Sequence, residues 1–572
     1  MKKRTASMKR NPAAIRRFAI ACLGLLLILA LPGCSGSAGS PGSMGGSASP
    51  AGGGGGSAYA PQSPPSNVWT ESASPSISPS APQIIGDSMS TDAAWGGSRT
   101  EPFTEEEYLT INENRAVSVS DSPLLTFSLK MDTASYRNAV RYIESGSLPP
   151  IDAVRTEEMI NYFRYEQPLA PNGTPFSIYT ELGPSPFSPD NHLAFVRVKS
   201  QDIHPEDLLP SNLTFLIDVS GSMSTHDKLP LLQSAFGLLV ETLGPNDSVS
   251  IVTYAGNSRI ALDSARGDEK GRIMDVINSL VAGGSTAGAE GIQTAYRLAE
   301  QNFLTNGNNR VILATDGDFN VGISSVQELE RFISEKRATG VHLTILGVGT
   351  ENIKDNRMET LAKNGNGNYH YLDSVATARK VLVDELAANL YVIAEDVKAQ
   401  IGFNPALVSD YRLIGYENRR LQNRDFADDS VDAGEIGIGT DVVLMFELAL
   451  HDGSGGELKY GGNIPPAPPV APGEYGDEFF EVRIRYKDPG ENESQLITVP
   501  VKTDSLLAWN TSDFQFASSV AAFGHLLRQS PYSGSVEISR LIAAAEDSLG
   551  RDEGGLRREF LYILQQYQAI RR

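Results

Sequence analysis

Five oxygen-bearing side chains, carried by three separate segments, have the types and spacing to do chemistry. Asp218, Ser220 and Ser222 lie in Leu-Thr-Phe-Leu-Ile-Asp-Val-Ser-Gly-Ser, Thr286 in Gly-Gly-Ser-Thr-Ala-Gly, and Asp316 in Val-Ile-Leu-Ala-Thr-Asp-Gly. Two carboxylates and three hydroxyls are hard donors; they suit Mg²⁺ or Mn²⁺ and offer nothing to a soft metal. A serine after a strand also N-caps helices, and Ser220 or Ser222 can cap whatever helix follows.

Each aspartate ends an apolar run that reads as a buried parallel strand, and ligand sites in open α/β sheets form beyond the carboxyl ends of such strands. The surrounding segment, 209–390, alternates the two element types. Strands are expected at Leu213–Ile217, Ser248–Tyr254, Ser258–Leu262, Val311–Ala314, Leu343–Val348 and Tyr369–Leu372. Helices are expected at Leu229–Leu243, on both sides of Thr286, at Val326–Lys336, Met358–Lys363 and Ala376–Leu390. This alternation predicts an α/β fold: a doubly wound, mainly parallel sheet with helices on both faces.

The order Asp-x-Ser-x-Ser, distant Thr, distant Asp-Gly resembles the metal-ion-dependent adhesion site (MIDAS) of von Willebrand factor type A domains, and the resemblance covers 209–390. It implies that Ser220, Ser222 and Thr286 supply oxygens, that Asp218 and Asp316 set the charge, and that one coordination position stays open for a carboxylate presented by a protein partner. Two flanking stretches extend the likeness. Asp132-Thr-Ala-Ser-Tyr, Leu148-Pro-Pro and Arg155-Thr-Glu-Glu-Met-Ile-Asn-Tyr-Phe163 are similar to the N-terminal extension of bacterial YfbK-type lipoproteins. Leu413-Ile-Gly-Tyr-Glu-Asn-Arg and Val431-Asp-Ala-Gly-Glu-Ile-Gly437 are similar to that family's C-terminal domain, which carries no established reaction.

The N-terminus reads as a targeting segment. Lys2, Lys3, Arg4, Lys9, Arg10, Arg16 and Arg17 precede an apolar run, Phe18–Leu31, that is short for a membrane span. Leu31-Pro-Gly-Cys34 resembles a bacterial lipobox, which implies a signal peptide over 1–33 and lipidation of Cys34. An uncleaved N-terminal anchor is the alternative, and either places the body outside the cytoplasm at a cell or outer membrane. Cys22 and Cys34 are the two cysteines, so processing leaves no thiol pair and no disulfide framework. Residues 34–101 are rich in Gly, Ser, Ala and Pro, including the run Gly52–Gly56, and predict a disordered tether with a coil reach of roughly 40–50 Å.

Net charge is −21 for the chain and −28 once the leader's seven basic residues are removed, since that leader holds no acid. Such a balance argues against nucleic-acid binding. Around the central segment, 102–208 reads as a helical and β extension, 391–510 as β-rich and 511–572 as amphipathic helices. Strand-like stretches at Phe176–Ser200, Val397–Phe403, Tyr411–Leu413, Asp441–Leu448 and Glu478–Tyr486 suggest a β-sandwich into which the type A segment is inserted, with the Pro-rich Gly461–Glu474 as an exposed loop.

Enzymatic readings find little support. Ser220 stands where a haloacid-dehalogenase-type phosphatase needs a second acid. The seven histidines form no His-Glu-x-x-His pattern, and no nucleophile elbow surrounds Ser220. Asp316-Gly-Asp318-Phe-Asn320 has its glycine misplaced for an EF-hand, and Gly347-Val-Gly349 lacks phosphate-loop spacing, reading instead as a place where a helix packs close. The acidic stretch Arg424–Glu435 is a further calcium candidate. Taken together, the sequence points to a non-enzymatic surface lipoprotein that binds an acidic protein ligand through Mg²⁺ or Mn²⁺. An envelope scaffold or metal-switched regulator is the alternative, and a metal-assisted enzyme the remote one.

Overall fold

Strands that are apolar on both faces must be covered on both faces, and this chain solves the problem twice. The computed structural model describes residues 106–166, 174–203, 208–285, 288–317, 326–350, 353–451, 476–507 and 509–572. Cys34, the tether, Thr286, Asp318 and the Gly461–Glu474 insert lie outside them. Residues 98–572 form one compact unit.

The first elements are β1 (Val117–Ser118), β2 (Leu124–Ser128), helices α1 (Ala134–Glu144) and α2 (Thr156–Asn161), and the antiparallel hairpin β3 (Phe176–Pro184) and β4 (His192–Ser200). The central segment follows with β5 (Ser211–Asp218), α3 (Leu229–Thr242), β6 (Ser248–Ala255), β7 (Asn257–Arg266), α4 (Lys270–Asn278), α5 (Gly288–Gln301) and β8 (Asn308–Thr315). It continues through α6 (Val326–Arg337), β9 (His342–Val348), α7 (Asp355–Asn364), β10 (Tyr369–Leu372), α8 (Val375–Arg379) and α9 (Leu386–Leu390). Its six strands lie in the order β10-β9-β8-β5-β6-β7, all parallel except the β6–β7 pair. One face packs on α3, where Phe215 stacks on Phe236 at 4.4 Å, and the other on α5, α6 and α7. This is the doubly wound α/β sheet expected from the alternation.

The expected helix over Ala376–Leu390 is not continuous. Between α8 and α9 the chain makes a π-helical turn, Lys380–Asp384, in which Glu385 N–H reaches back to the Lys380 carbonyl at 2.9 Å. The Lys380 ammonium meets the Glu385 carboxylate at 2.6 Å, and Asn389 Nδ2 donates to the Val381 carbonyl, holding the wider turn.

The remaining strands are β11 (Val392–Phe403), β12 (Val408–Ile414), β13 (Gly434–Gly437), β14 (Asp441–Leu450), β15 (Glu478–Lys487) and β16 (Ser494–Lys502), followed by α10 (Ser512–Arg528), α11 (Ile538–Asp547) and α12 (Leu556–Arg571). One sheet runs β1-β12-β14-β4-β3 and the other β13-β11-β15-β16, with β2 on β11. Both therefore mix strands from before and after the central segment. Their inner faces share one core, including Phe127, Phe403, Phe446 and Phe480. The outer face of β4 and β14 is covered by α1, α2, α10 and α12, around Phe163, Phe195, Phe516 and Phe560. Sequence reading missed β1, β2, β13 and β16: β1 and β13 are very short, and Pro500 demotes β16, a strand that can hold proline because it is an edge.

A buried ionic cluster joins the central segment to its flanks. Arg155, before α2, pairs with Glu158 at 2.5 Å and reaches across to Asp355 of α7 at 2.6 Å and Glu359 at 3.8 Å. Arg419 meets Asp132 at 2.6 Å and Glu359 at 3.5 Å. All six side chains are buried.

Candidate metal centre

The order of the parallel sheet decides where a ligand can enter. From β5 the chain moves outward through β6 and β7, then returns to place β8 on the other side of β5. The connections after β5 and β8 thus diverge, leaving a crevice beyond their carboxyl ends. Asp218 is the last residue of β5 and Asp316 directly follows β8; both are buried.

Asp218 Oδ1 accepts the Ser220 backbone N–H at 2.8 Å, and Oδ2 lies 3.5 Å from Thr315 Oγ1. Burial is the main force pushing the Asp218 carboxyl up to about 6; the neighbouring Asp316 charge adds to it, while the Ser220 and Tyr254 hydrogen bonds oppose it. Ser220 Oγ and Ser222 Oγ are 3.0 Å apart, the first buried and the second exposed, so the crevice has an inner and an outer hydroxyl. The capping role anticipated for these serines is not what they do: Ser220 precedes a 3-10 turn, Gly221–Ser224, without a side-chain cap, and α3 starts later, after Lys228. Thr286 itself is outside the described residues, but the chain leading to it is tied to the Asp218 loop. Gly283 N–H donates to the Val219 carbonyl at 2.7 Å and Gly221 N–H to the Gly284 carbonyl at 3.0 Å.

Lys228 was not singled out from sequence. Its ammonium donates to Asp316 Oδ2 at 2.9 Å, with the side chain 11 % exposed. Room for its stem comes from Gly349, whose φ of +81° and bare Cα face it; a Cβ there would sit 2.3 Å from Lys228 Cε. The glycine pair after β9 therefore admits a lysine stem at Gly349, while Gly347 lies against Met358 of α7 as the close-packing reading supposed. No local signal marks Lys228, which stands in a polar stretch that reads as solvated.

The donor set fits a hard divalent cation. Two buried carboxylates face a pair of hydroxyls, and one carboxylate already holds an ammonium. Among the described residues no three His, Cys, Asp or Glu side chains gather into a metal-sized cluster, so a cation site here rests on hydroxyls as well as carboxylates. Within the acidic stretch Arg424–Glu435, three aspartates already have other partners: Asp428 caps Ser430, Asp429 meets Arg485 and Ser494, and Asp432 meets Arg337.

Lys228 and a bound cation would share Asp316. Lys228→Met keeps the stem and removes the like charge, and is expected to tighten Mg²⁺ binding on the order of tenfold while lowering the melting temperature without metal. Calorimetric titration beside a thermal melt checks both; an unchanged affinity would show that the ammonium does not compete for this site.

Comparison with known proteins agrees with the fold of the central segment. A family model described as von Willebrand factor type A domain matches residues 212–384, one described as von Willebrand factor matches 102–195, and one described as uncharacterized protein YfbK, C-terminal, matches 388–570. Uncharacterized protein YfbK of Escherichia coli (strain K12) is 41% identical over 467 residues, covering 80% of each chain. Uncharacterized protein sll0103 of Synechocystis is 23% identical over 300 residues, covering 51% of this chain and 65% of its own. Among solved structures, a von Willebrand factor type A protein from Catenulispora acidiphila covers 67% of this chain and 89% of its own, at 15% identity and a TM-score of 0.39. Type A domains serve in general as protein-interaction modules. The chain belongs to the YfbK family and carries a von Willebrand factor type A domain at its centre.

Proposed function

We propose that the type A domain binds a protein partner through a divalent cation held by Asp218, Ser220, Ser222, Thr286 and Asp316. A bound Mg²⁺ or Mn²⁺ would supply a Lewis-acidic centre with one position left for a carboxylate presented by the partner. Asp218 and Asp316 set its charge from below, the Ser220 and Ser222 hydroxyls line its approach, and the exposed Ser222 marks the side on which a partner arrives. We further propose that Cys34 is lipidated and that the protein acts outside the cytoplasm, tethered to a cell or outer membrane, in adhesion or envelope assembly. The observation that carries the reading is the convergence of Asp218, Ser220, Ser222 and Asp316 on one crevice at the point where the sheet reverses direction.

A second reading, a scaffold or regulator that uses the centre as a switch, is favoured by the ionic cluster that ties α7 to the flanking domain. Titrating the full-length chain with Mg²⁺ and Mn²⁺, with an EDTA-treated control, tests the shared premise. One saturable site per chain is expected. Immobilised chain should then retain envelope proteins in Mg²⁺ and release them in EDTA; a retained set indifferent to EDTA would refute the binding role.

A further inference from the structure

Arg310 lies near the start of β8, six residues before Asp316, so it sits about 20 Å from the candidate metal centre, at the opposite end of the sheet. It is 2 % exposed. Nη1 donates to Thr344 Oγ1 at 2.8 Å and Nη2 to the Leu390 carbonyl at 3.1 Å, while Nε meets no acceptor. Both acceptors are neutral, and among the described residues no carboxylate forms an ion pair with it. The carboxyl whose charge reaches it most, Glu435, makes no ion pair with it and is itself buried, which pushes its pKa up to about 8. A buried guanidinium without a counter-charge is unfavourable, and an ion pair with a bound anion would relieve it.

Arg310 also lines a cavity of about 320 Å³ where the type A domain joins the sandwich, between Leu209 on the way in and Leu390 to Ile393 on the way out. Its other walls are mainly apolar, including Ile438 and Val392, with Asn308 and Asn309 among the polar ones. His342 lines it as well, but burial pulls that imidazole down to about 4, so it adds no charge at neutral pH. Glu395 is the one acidic wall residue; burial raises its pKa, and Gly490 N–H donates to it at 3.4 Å. The Arg310 guanidinium beside an apolar wall favours a ligand with a single negative charge on a hydrocarbon body, and Glu395 disfavours a second one.

We propose that this cavity is a binding site for a small monocarboxylate, its carboxylate pairing with Arg310 and its apolar body lying against Leu209, Leu390, Val392 and Ile438. The proposal is independent of the reading of the metal centre. The probe is sodium hexanoate, titrated calorimetrically into the full-length chain beside hexanamide, at ionic strength matched with chloride. Hexanoate is expected to saturate one site per chain and to raise the melting temperature, and hexanamide to bind about tenfold or more weakly. Arg310→Met should lose hexanoate by a similar factor, with a ligand-free melting temperature equal to or above that of the parent, because an uncompensated buried charge has gone. Val392→Phe, which narrows the cavity and keeps Arg310, should also lose binding, so the test stands even if Arg310→Met fails to fold. Absence of saturable hexanoate binding in the parent, equal binding of hexanamide, or binding that survives Val392→Phe overturns the proposal.

Discussion

Asp218→Ala is expected to abolish Mg²⁺ binding and leave the fold standing. The fold should survive because Asp218 is an expensive residue in the metal-free protein: its carboxyl is fully buried, pushed up by burial and by Asp316 beside it. Alanine removes that repulsion and gives up the hydrogen bonds from Ser220 and Tyr254, of which the Ser220 N–H bond is worth about 1.5–3 kcal/mol to a charged acceptor. The two changes oppose each other, and the melting temperature without metal should move little. With metal the chains part. At a hundredfold excess over its dissociation constant, a ligand stabilises the parent by about 2.7 kcal/mol. For a domain the size of this one, that corresponds to about 5–10 °C. The alanine variant should show none of this rise, and should lose any partner retained in Mg²⁺. A variant that is unfolded without metal would make Asp218 structural, and one that still melts higher in Mg²⁺ would place the cation elsewhere.

Why this residue was legible from sequence, and others were not, follows from what each depends on. Asp218 closes β5 and Asp316 directly follows β8, each at the end of a mostly apolar run, and a charged group in that position has little reason to exist unless the crevice uses it. The partners that tune the site leave no such mark. Lys228 meets Asp316 only because β8 and the start of α3 are neighbours in space, and Gly349 makes room for it from a third strand. The alternation of strands and helices announced the doubly wound sheet, since each element buries its face locally. The sandwich could be suggested but not drawn. Its pairings, such as β2 on β11 and β4 on β14, join segments on either side of the whole type A domain, and no local pattern records which strand finds which. Arg155, Arg310 and Arg419 were invisible for a different reason: arginine is mostly a surface residue, and only the packing reveals that these three are buried.

That burial makes Arg155→Met the substitution expected to cost the most stability. Arg155 is the shared cation of Glu158, Asp355 and Glu359, and Arg419 reaches only the last of these. Removing it strands Glu158 and Asp355 in a low-dielectric contact between α2 and α7, where losing one partner of a buried pair costs about 3–5 kcal/mol. The loss should appear as a lower urea midpoint and faster amide exchange along α7, the helix that the pair holds against the flanking domain. The companion variant separates charge from packing. Replacing Arg155 with Met together with Asp355→Leu and Glu359→Leu removes the cation and both carboxylates that it meets on α7, leaving Glu158 with the Ser135 backbone N–H at 2.9 Å. Apolar replacement of buried ions is often neutral or stabilising, so the triple variant should recover most of what the single one loses. A single variant within about 1 kcal/mol of the parent would mean that apolar contact, not this ion cluster, fixes α7. A triple variant as unstable as the single would mean that the ions specify the geometry of the contact as well as its charge. Only recovery in the triple variant supports the cluster as a replaceable electrostatic clamp on the type A domain.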